Sequence, residues 1–485
     1  MKLIPIFFLV GIFAVSGWAE DKKPEPYSAE LVRKAEAGDA EAQYNLGQCY
    51  ENGQVGIKDN KEAVKWYTKS AEQGNAKAQC NLGGCYYNGT GVAKDEKEAV
   101  KWYTKAAEQG DDYGQHSLGW FYANGKGVGK DEKEAVKWYK KAAEQGNKFA
   151  QCNLGGCYYN GTGVAKDEKE AVKWYTKSAE QGVVGAQTNL ANCYRDGAGV
   201  SKDEKEAVKW YTKSAEQGIA LAQKLLGDCY YMGIGVGKDQ QEAVKWYTKA
   251  AEQGEARAQY NLGSCCRRGI GIAKDDQYAA NWYTKAALQG HAMAQSSLGL
   301  CYAKGIGVIR DDKEAVKWYR KAAEQGEPTG QANLGWCYAT GIGVGKDQQE
   351  AVKWYKKAAE QGDAMAECNL GVCYRDGTGL GKDENEAVKW FMKSAEQGYA
   401  TGQSNLGWCY ATGIGVGKDQ QEAVKWYKKA AEQGDAGAQY NLAWCYRDGA
   451  GVKKDEKEAV KWYTKAAEQN YEEAKKALER IKAKQ

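Results

Sequence analysis

Apolar and polar positions in this chain alternate with the rhythm of two helices in succession. From Asp39 to Gly53, the apolar residues Ala42, Leu46, Cys49 and Tyr50 fall three and four apart and form one helix face. From Asp95 to Gly110, Ala99, Trp102, Tyr103 and Ala107 form a second such face. Gly53 and Gly110 stand where these helices should stop, because glycine readily takes the left-handed conformation that follows a helix end. Gly89-Thr90-Gly91-Val92 reads as the connecting turn. Asp95 with Glu98 reads as an Asp-x-x-Glu capping box that opens the second helix.

This pattern returns every 36 residues, twelve times, with its Trp falling at regular steps from Trp66 to Trp462 and no insertion between them. One helix pair cannot bury both of its faces alone, so such periodicity predicts stacking on neighbouring copies. The expected fold is all-α: an elongated α/α solenoid (superhelix) of twelve 36-residue helix-turn-helix units over residues 39–470. Residues 28–38 match the second half of a unit and read as an N-terminal half-repeat cap, with polar Glu30 in the Trp slot. Residues 471–485 read as a C-terminal capping helix, with Ala474, Leu478 and Ile481 in the slots of Ala42, Leu46 and Cys49. Ten units carry Gly at the Gly47 slot and two carry Ala. Glycine inside a helix costs roughly 0.8–1.0 kcal/mol relative to alanine, which points to close backbone approach as compensation.

The motif A-x-x-x-L-G-x-C-Y-x-x-G-x-G-V, followed by D-x-x-E-A-V-K-W-Y-x-K-A-A-E-Q-G, closely resembles the Sel1-like repeat family, a relative of the tetratricopeptide repeats. The resemblance covers residues 39–470. It implies a right-handed superhelix that acts as an adaptor for other proteins, with a protein or peptide partner and no cofactor. Unit one departs from the pattern at Gly53-Gln54-Val55-Gly56, and unit seven at Cys266 and Tyr278, so altered turns are expected in both.

Charge adds little to this picture. The 68 basic and 64 acidic residues nearly cancel, and no basic stripe marks a nucleic-acid surface. The N-terminus is different in kind. Met1-Lys2, an apolar run from Leu3 to Val15, and Ser16-Gly17-Trp18-Ala19 fit a secretory signal peptide over residues 1–19. A linker containing Pro24 and Pro26 follows over residues 20–27. No later stretch is apolar and long enough to span a bilayer, so the chain is expected to be exported, periplasmic or secreted, and not an integral membrane protein.

Fifteen cysteines in an exported chain suggest disulfides, but eleven of them share one slot, from Cys49 to Cys445. Equivalent positions on stacked helices lie roughly 8–10 Å apart, beyond the 7 Å or so between Cα atoms that a disulfide tolerates. Phe121 and Ile481 fill the same slot, which marks it as an apolar core position. Cys80, His116 and Cys152 occupy one slot in successive units, yet repeat-spaced side chains reach a common zinc centre poorly. The two histidines, His116 and His291, are five units apart. No nucleophile motif appears, and the glycine turns follow helices instead of the strands that precede phosphate loops. A non-catalytic scaffold is therefore expected. The alternative is a β-lactam-binding or β-lactamase-like enzyme, because the resemblance extends to cysteine-rich exported relatives associated with that chemistry; this chain has Ala71 and Ala107 where their second-helix cysteine falls.

Variation among the units locates a candidate binding surface. Second helices barely change, whereas first helices vary at the slots of Glu41, Tyr44, Gln48 and Glu51, one stripe at helical spacing. The Gln48 slot accepts Gly84, Asp228, Leu300 and Val372, yet carries Trp120, Trp336, Trp408 and Trp444. With Tyr440 and Arg447 these are the expected partner contacts on a concave first-helix face, being the residue types that dominate interface hot spots. If residues 1–19 are removed on export, N-terminal sequencing of the mature protein reads from Glu20; an intact Met1 on a cytosolic product would overturn the export reading.

Overall fold

The computed structural model describes residues 26–482; the expected signal peptide, most of the linker and residues 483–485 lie outside the described residues. Helix α1 (Ala29–Glu36) precedes twelve helix pairs. These run from α2 (Ala40–Glu51) and α3 (Asn60–Glu72) to α24 (Ala436–Asp448) and α25 (Glu456–Glu468), with even-numbered helices first in each repeat. Helix α26 (Glu472–Lys482) follows, and no strand occurs among the described residues. The chain is an all-α solenoid protein of twelve repeats, divided into two compact units, Met1–Ala250 and Ala251–Gln485.

Within each unit a second helix packs on its own first helix and on the first helix of the next repeat. Successive first helices also approach one another, as α4 (Ala76–Asn88) does α6 (Asp112–Asn124) and α16 (Ala292–Lys304) does α18 (Pro328–Thr340). No two second helices come as close among the described residues, so first helices line the inner side of each unit.

The glycine of the Gly47 slot sets the distance between the two helices of a repeat. A Cβ at Gly47 would lie 2.7 Å from the ring of Tyr67, and one at Gly371 would lie 2.7 Å from the ring of Phe391. These aromatic residues are fully buried. Crowding of that kind costs about 1–3 kcal/mol, which outweighs the helix-propensity gain of alanine. On the other side of the second helix, each Trp carries the Lys three residues onward above its ring, as Lys105 does over Trp102 at 4.2 Å.

Two backbone features join the elements. The aspartate before each second helix caps it, Asp95 Oδ1 accepting from the Lys97 and Glu98 N–H groups at 2.9 and 3.0 Å. The reciprocal half of the expected capping box is not formed. The Asp95 N–H donates instead to the Tyr86 carbonyl at 2.9 Å, and Glu98 pairs with Lys101 at 3.2 Å. The second turn glycine then lies against the preceding repeat: a Cβ at Gly163 would stand 2.1 Å from the Glu132 carbonyl oxygen. In unit one the turn is altered as expected, with Gly56 at φ 104° and no neighbour. In unit seven it is not. Gly269 keeps its left-handed φ of 66°, and the Asp275 N–H still reaches the Cys266 carbonyl at 3.0 Å, because that bond uses backbone alone.

Buried glutamines tie repeats together. Gln79 Nε2 donates to the Ala71 carbonyl of the preceding repeat at 3.0 Å, and Gln109 Nε2 donates to Gln79 Oε1 at 2.7 Å. The same pair of bonds recurs at Gln115 with Gln145 and at Gln439 with Gln469. In helix α20 (Ala364–Asp376) the slot holds Glu367, which is buried and accepts from Gln397 Nε2 at 2.7 Å. An ionised Glu367 cannot donate to the Ala359 carbonyl, and burial raises its pKa, partly offset by the Gln397 hydrogen bond. Because its folded pKa is raised, protonation favours the fold below the ordinary carboxylate range, and that contribution is lost as pH rises through the folded value. Glu367→Gln should therefore raise stability by roughly 1 kcal/mol at neutral pH, with the gain shrinking near pH 4. Chemical denaturation of both proteins at the two pH values checks this; equal stability at pH 7 would refute it.

Candidate functional site

The inner stripe is less open than its variability suggests. Tyr44 and Glu51 are buried, and Tyr67 donates to Glu51 Oε2 at 2.6 Å. Two other occupants of the Tyr44 slot are buried and engage partners: Cys80 Sγ donates to Asp111 Oδ1 at 3.0 Å, and Lys224 pairs with Asp228 at 2.6 Å. Variation at this slot is matched inside the fold. Exposure along the stripe is greatest at the slot of Glu41, while the slots of Gln48 and Glu51 are mostly half-buried.

The four tryptophans of the Gln48 slot differ in exposure. Trp120 is half-buried, edge-on to Tyr87 of the preceding repeat with centroids 5.5 Å apart. Trp408 is half-buried, with the Arg375 guanidinium 5.5 Å above its ring. Trp444 is half-buried against the last hydrophobic cluster, beside Tyr471, Leu478 and Ile481. Trp336 is exposed at 40%. The position that covers Trp120 with a Tyr and Trp408 with an Arg holds only Ala303 before Trp336.

Tyr440 and Arg447 are engaged within the chain. The Tyr440 ring packs at a tilt against both Tyr463 and Tyr471, with centroids 5.5 and 5.3 Å away. Arg447 grips Asp448 bidentately at 2.7 and 2.8 Å, which lowers the Asp448 pKa below the usual carboxylate range. The same clamp joins Arg195 to Asp196 and Arg375 to Asp376.

Groups considered for chemistry do not converge. His116 is buried, bonded through Nε2 to Asn153 at 3.2 Å, and burial pushes its pKa down to about 4, so it is neutral at ordinary pH. His291 caps α16, its Nδ1 accepting from the Ala294 N–H at 3.3 Å. No group of three or more metal-ligating side chains occurs among the described residues. All fifteen cysteines are buried and free, and burial lifts thiols such as Cys152, to about 12, and Cys337, to about 11. No described helix is long and apolar enough to cross a membrane.

Paired helices around buried glycine–aromatic contacts, repeated without interruption, define a helical-repeat scaffold of the tetratricopeptide-like class. The family model of the Sel1 repeat matches twelve successive segments from 40–75 to 436–471, and the chain belongs to that family. Among solved structures, it is similar to a protective antigen present in uropathogenic Escherichia coli strains and displaying an SLR fold. The two share 39% identity and a TM-score of 0.76, over 87% of this chain and 90% of that one. It is also similar to a Sel1 repeat protein from Oxalobacter formigenes, at 37% identity and a TM-score of 0.50, over 63% of this chain and 89% of that one. No curated protein sequence matches the chain.

Burial and raised pKa values make the thiols poor nucleophiles in the folded state. A thiol reagent at pH 8 should leave the native protein largely unlabelled and modify all fifteen cysteines after denaturation. Rapid labelling of several thiols in the native protein would contradict their placement in the core.

Proposed function

We propose that this protein is an exported, non-catalytic scaffold that holds a protein or peptide partner along the inner face formed by its first helices. Trp336 carries the reading. It is a large aromatic ring, 40% exposed, on a slot that tolerates Gly, Asp, Leu and Val elsewhere in the chain. Aromatic side chains in such positions are frequent binding anchors. Within the same unit, Trp408, Trp444, Tyr440 and Arg447 flank that ring and combine packing with contact, as Trp120 does in the other unit, whereas Trp336 is free to serve contact alone. Export rests on residues 1–19, and the scaffold role on the repeat family.

The test is crosslinking in the exported fraction, comparing wild type with Trp336→Ala and with the double variant Trp408→Ala, Trp444→Ala. Trp336→Ala should weaken partner capture at least about tenfold with an unchanged melting temperature, as loss of a contact anchor does. The double variant should lower both capture and melting temperature. Undiminished capture by Trp336→Ala removes this ring from the interface, and nitrocefin hydrolysis by the purified protein would favour the β-lactam enzyme reading instead.

A further inference from the structure

The repeats act as controls for one another, and unit seven stands apart. At the Glu51 slot, Arg195, Arg375 and Arg447 are each followed by an aspartate that clamps the guanidinium from within the same helix. Helix α14 (Ala256–Arg268) carries Arg267 in that slot, and the next residue is Arg268. The clamp is missing, and a second cation replaces it. Arg267 makes no hydrogen bond or ion pair among the described residues, while Arg268 donates to Ser264 Oγ at 2.8 Å.

The ring that supports Arg375 is missing as well. Arg375 lies over Trp408 of the following repeat, and the equivalent residue after Arg267 is Leu300. Arg267 is half-buried, and its charge acts on Tyr283 and Cys301, which places it between α14, α15 (Asp276–Leu288) and α16. The carboxylates that act on the same neighbours are already engaged: Asp276, which acts on Cys301, pairs with Lys274 at 3.4 Å, and Glu327, which acts on Tyr260, caps α18. One repeat further, Lys304 occupies the Arg268 slot, exposed and without an ion pair among the described residues. Beyond it the stripe turns apolar, through Leu300 and Ala303 to the exposed ring of Trp336.

We propose that the inner face from Arg267 to Trp336 binds an extended, acidic segment of a partner protein, whose side-chain carboxylate takes the place of the missing aspartate on Arg267. Arg268 and Lys304 add positive charge around that carboxylate, and an apolar side chain of the same segment covers Trp336. The inference rests on the scaffold reading and names the chemistry of the partner. Arg267 and Trp336 belong to repeats two apart, about 20 Å at roughly 10 Å per repeat. An extended chain advances about 3.3 Å per residue, so the carboxylate and the apolar anchor are separated by about six residues.

The probes are two fluorescent peptides with a tryptophan six residues after an aspartate, or after an asparagine in its place, joined by glycine and serine. Fluorescence anisotropy with the full-length protein should show the aspartate peptide binding at least about tenfold more tightly, with the difference shrinking as salt is raised. Arg268→Asp supplies in the chain the clamp that the equivalent repeats have, so it should abolish the preference without lowering the melting temperature. Equal binding of the two peptides, an unchanged preference in Arg268→Asp, or equal competition by inorganic phosphate at the peptide's concentration would each overturn the proposal. Partner capture that depends on Trp336 while the peptides fail to discriminate would leave the scaffold reading standing and remove this site alone.

Discussion

The spacing between the two helices of each repeat is fixed by an aromatic ring lying where a first-helix side chain would otherwise be. With the ring of Tyr139 2.8 Å from where a Cβ on Gly119 would stand, the helices meet closely enough to exclude water from the tyrosine and from the neighbouring cysteine slot. Two repeats substitute alanine, at Ala191 and Ala443, and their rings at Tyr211 and Tyr463 remain fully buried. The contact therefore yields locally without opening the core. What it leaves uncovered is the opposite face of the second helix, where Trp102, Trp138 and their equivalents require the preceding repeat to bury them. Stacking is thus a consequence of how tightly the individual pair closes.

Register between repeats is set by polar groups, since an apolar face alone would allow the repeats to slide. Each buried glutamine of the first helix uses its amide twice, donating to an alanine carbonyl behind it and accepting from the closing glutamine of its own repeat. A displacement of one residue would leave the glutamine amide and the alanine carbonyl buried and unpaired, at a cost of about 1–3 kcal/mol for each group. The turn glycine adds a steric stop at the same joint, because Gly163 rests on the carbonyl of Glu132. Glu367 is the place where this joint is weakened, and its neighbours keep the glutamine that it lacks.

The helices, their caps and the thiol core were legible in the sequence because they follow from spacing inside a single repeat. Ala42, Leu46 and Cys49 are buried where periodicity put them, and Asn470 takes the positive φ that its glycine equivalents take. Interactions between elements were less legible. Glu98 has the spacing of a capping partner, but the N–H it would have served is already bonded to the Tyr86 carbonyl at 2.9 Å, across a turn that spacing does not reveal. The Tyr44 slot looked tolerant, and so solvent-facing, because its residue types vary. Inside the structure several variants bring their own partner: Cys80 has Asp111, His116 has Asn153, and Cys368 has Asn405. Variation in a repeat array marks exposure only where no neighbour compensates for it.

The tryptophans show the same rule from the outside. Residues 335–364 and 407–436 are identical, so no property of the local segment separates Trp336 from Trp408. Their exposures differ because the preceding repeat contributes Ala303 in one case and Arg375 in the other, and Arg375 lies over the ring at 5.5 Å. For this pair, availability follows the residue one repeat upstream, whereas Trp444, which follows Ala411, is half-buried against the last hydrophobic cluster. Duplication copies a side chain together with its helix, while divergence of the neighbouring repeats decides whether that side chain is covered or left open. In an array whose backbone contacts are nearly invariant, this is where distinct surfaces can arise without disturbing the glycine–aromatic contact or the glutamine joints that hold the repeats in place.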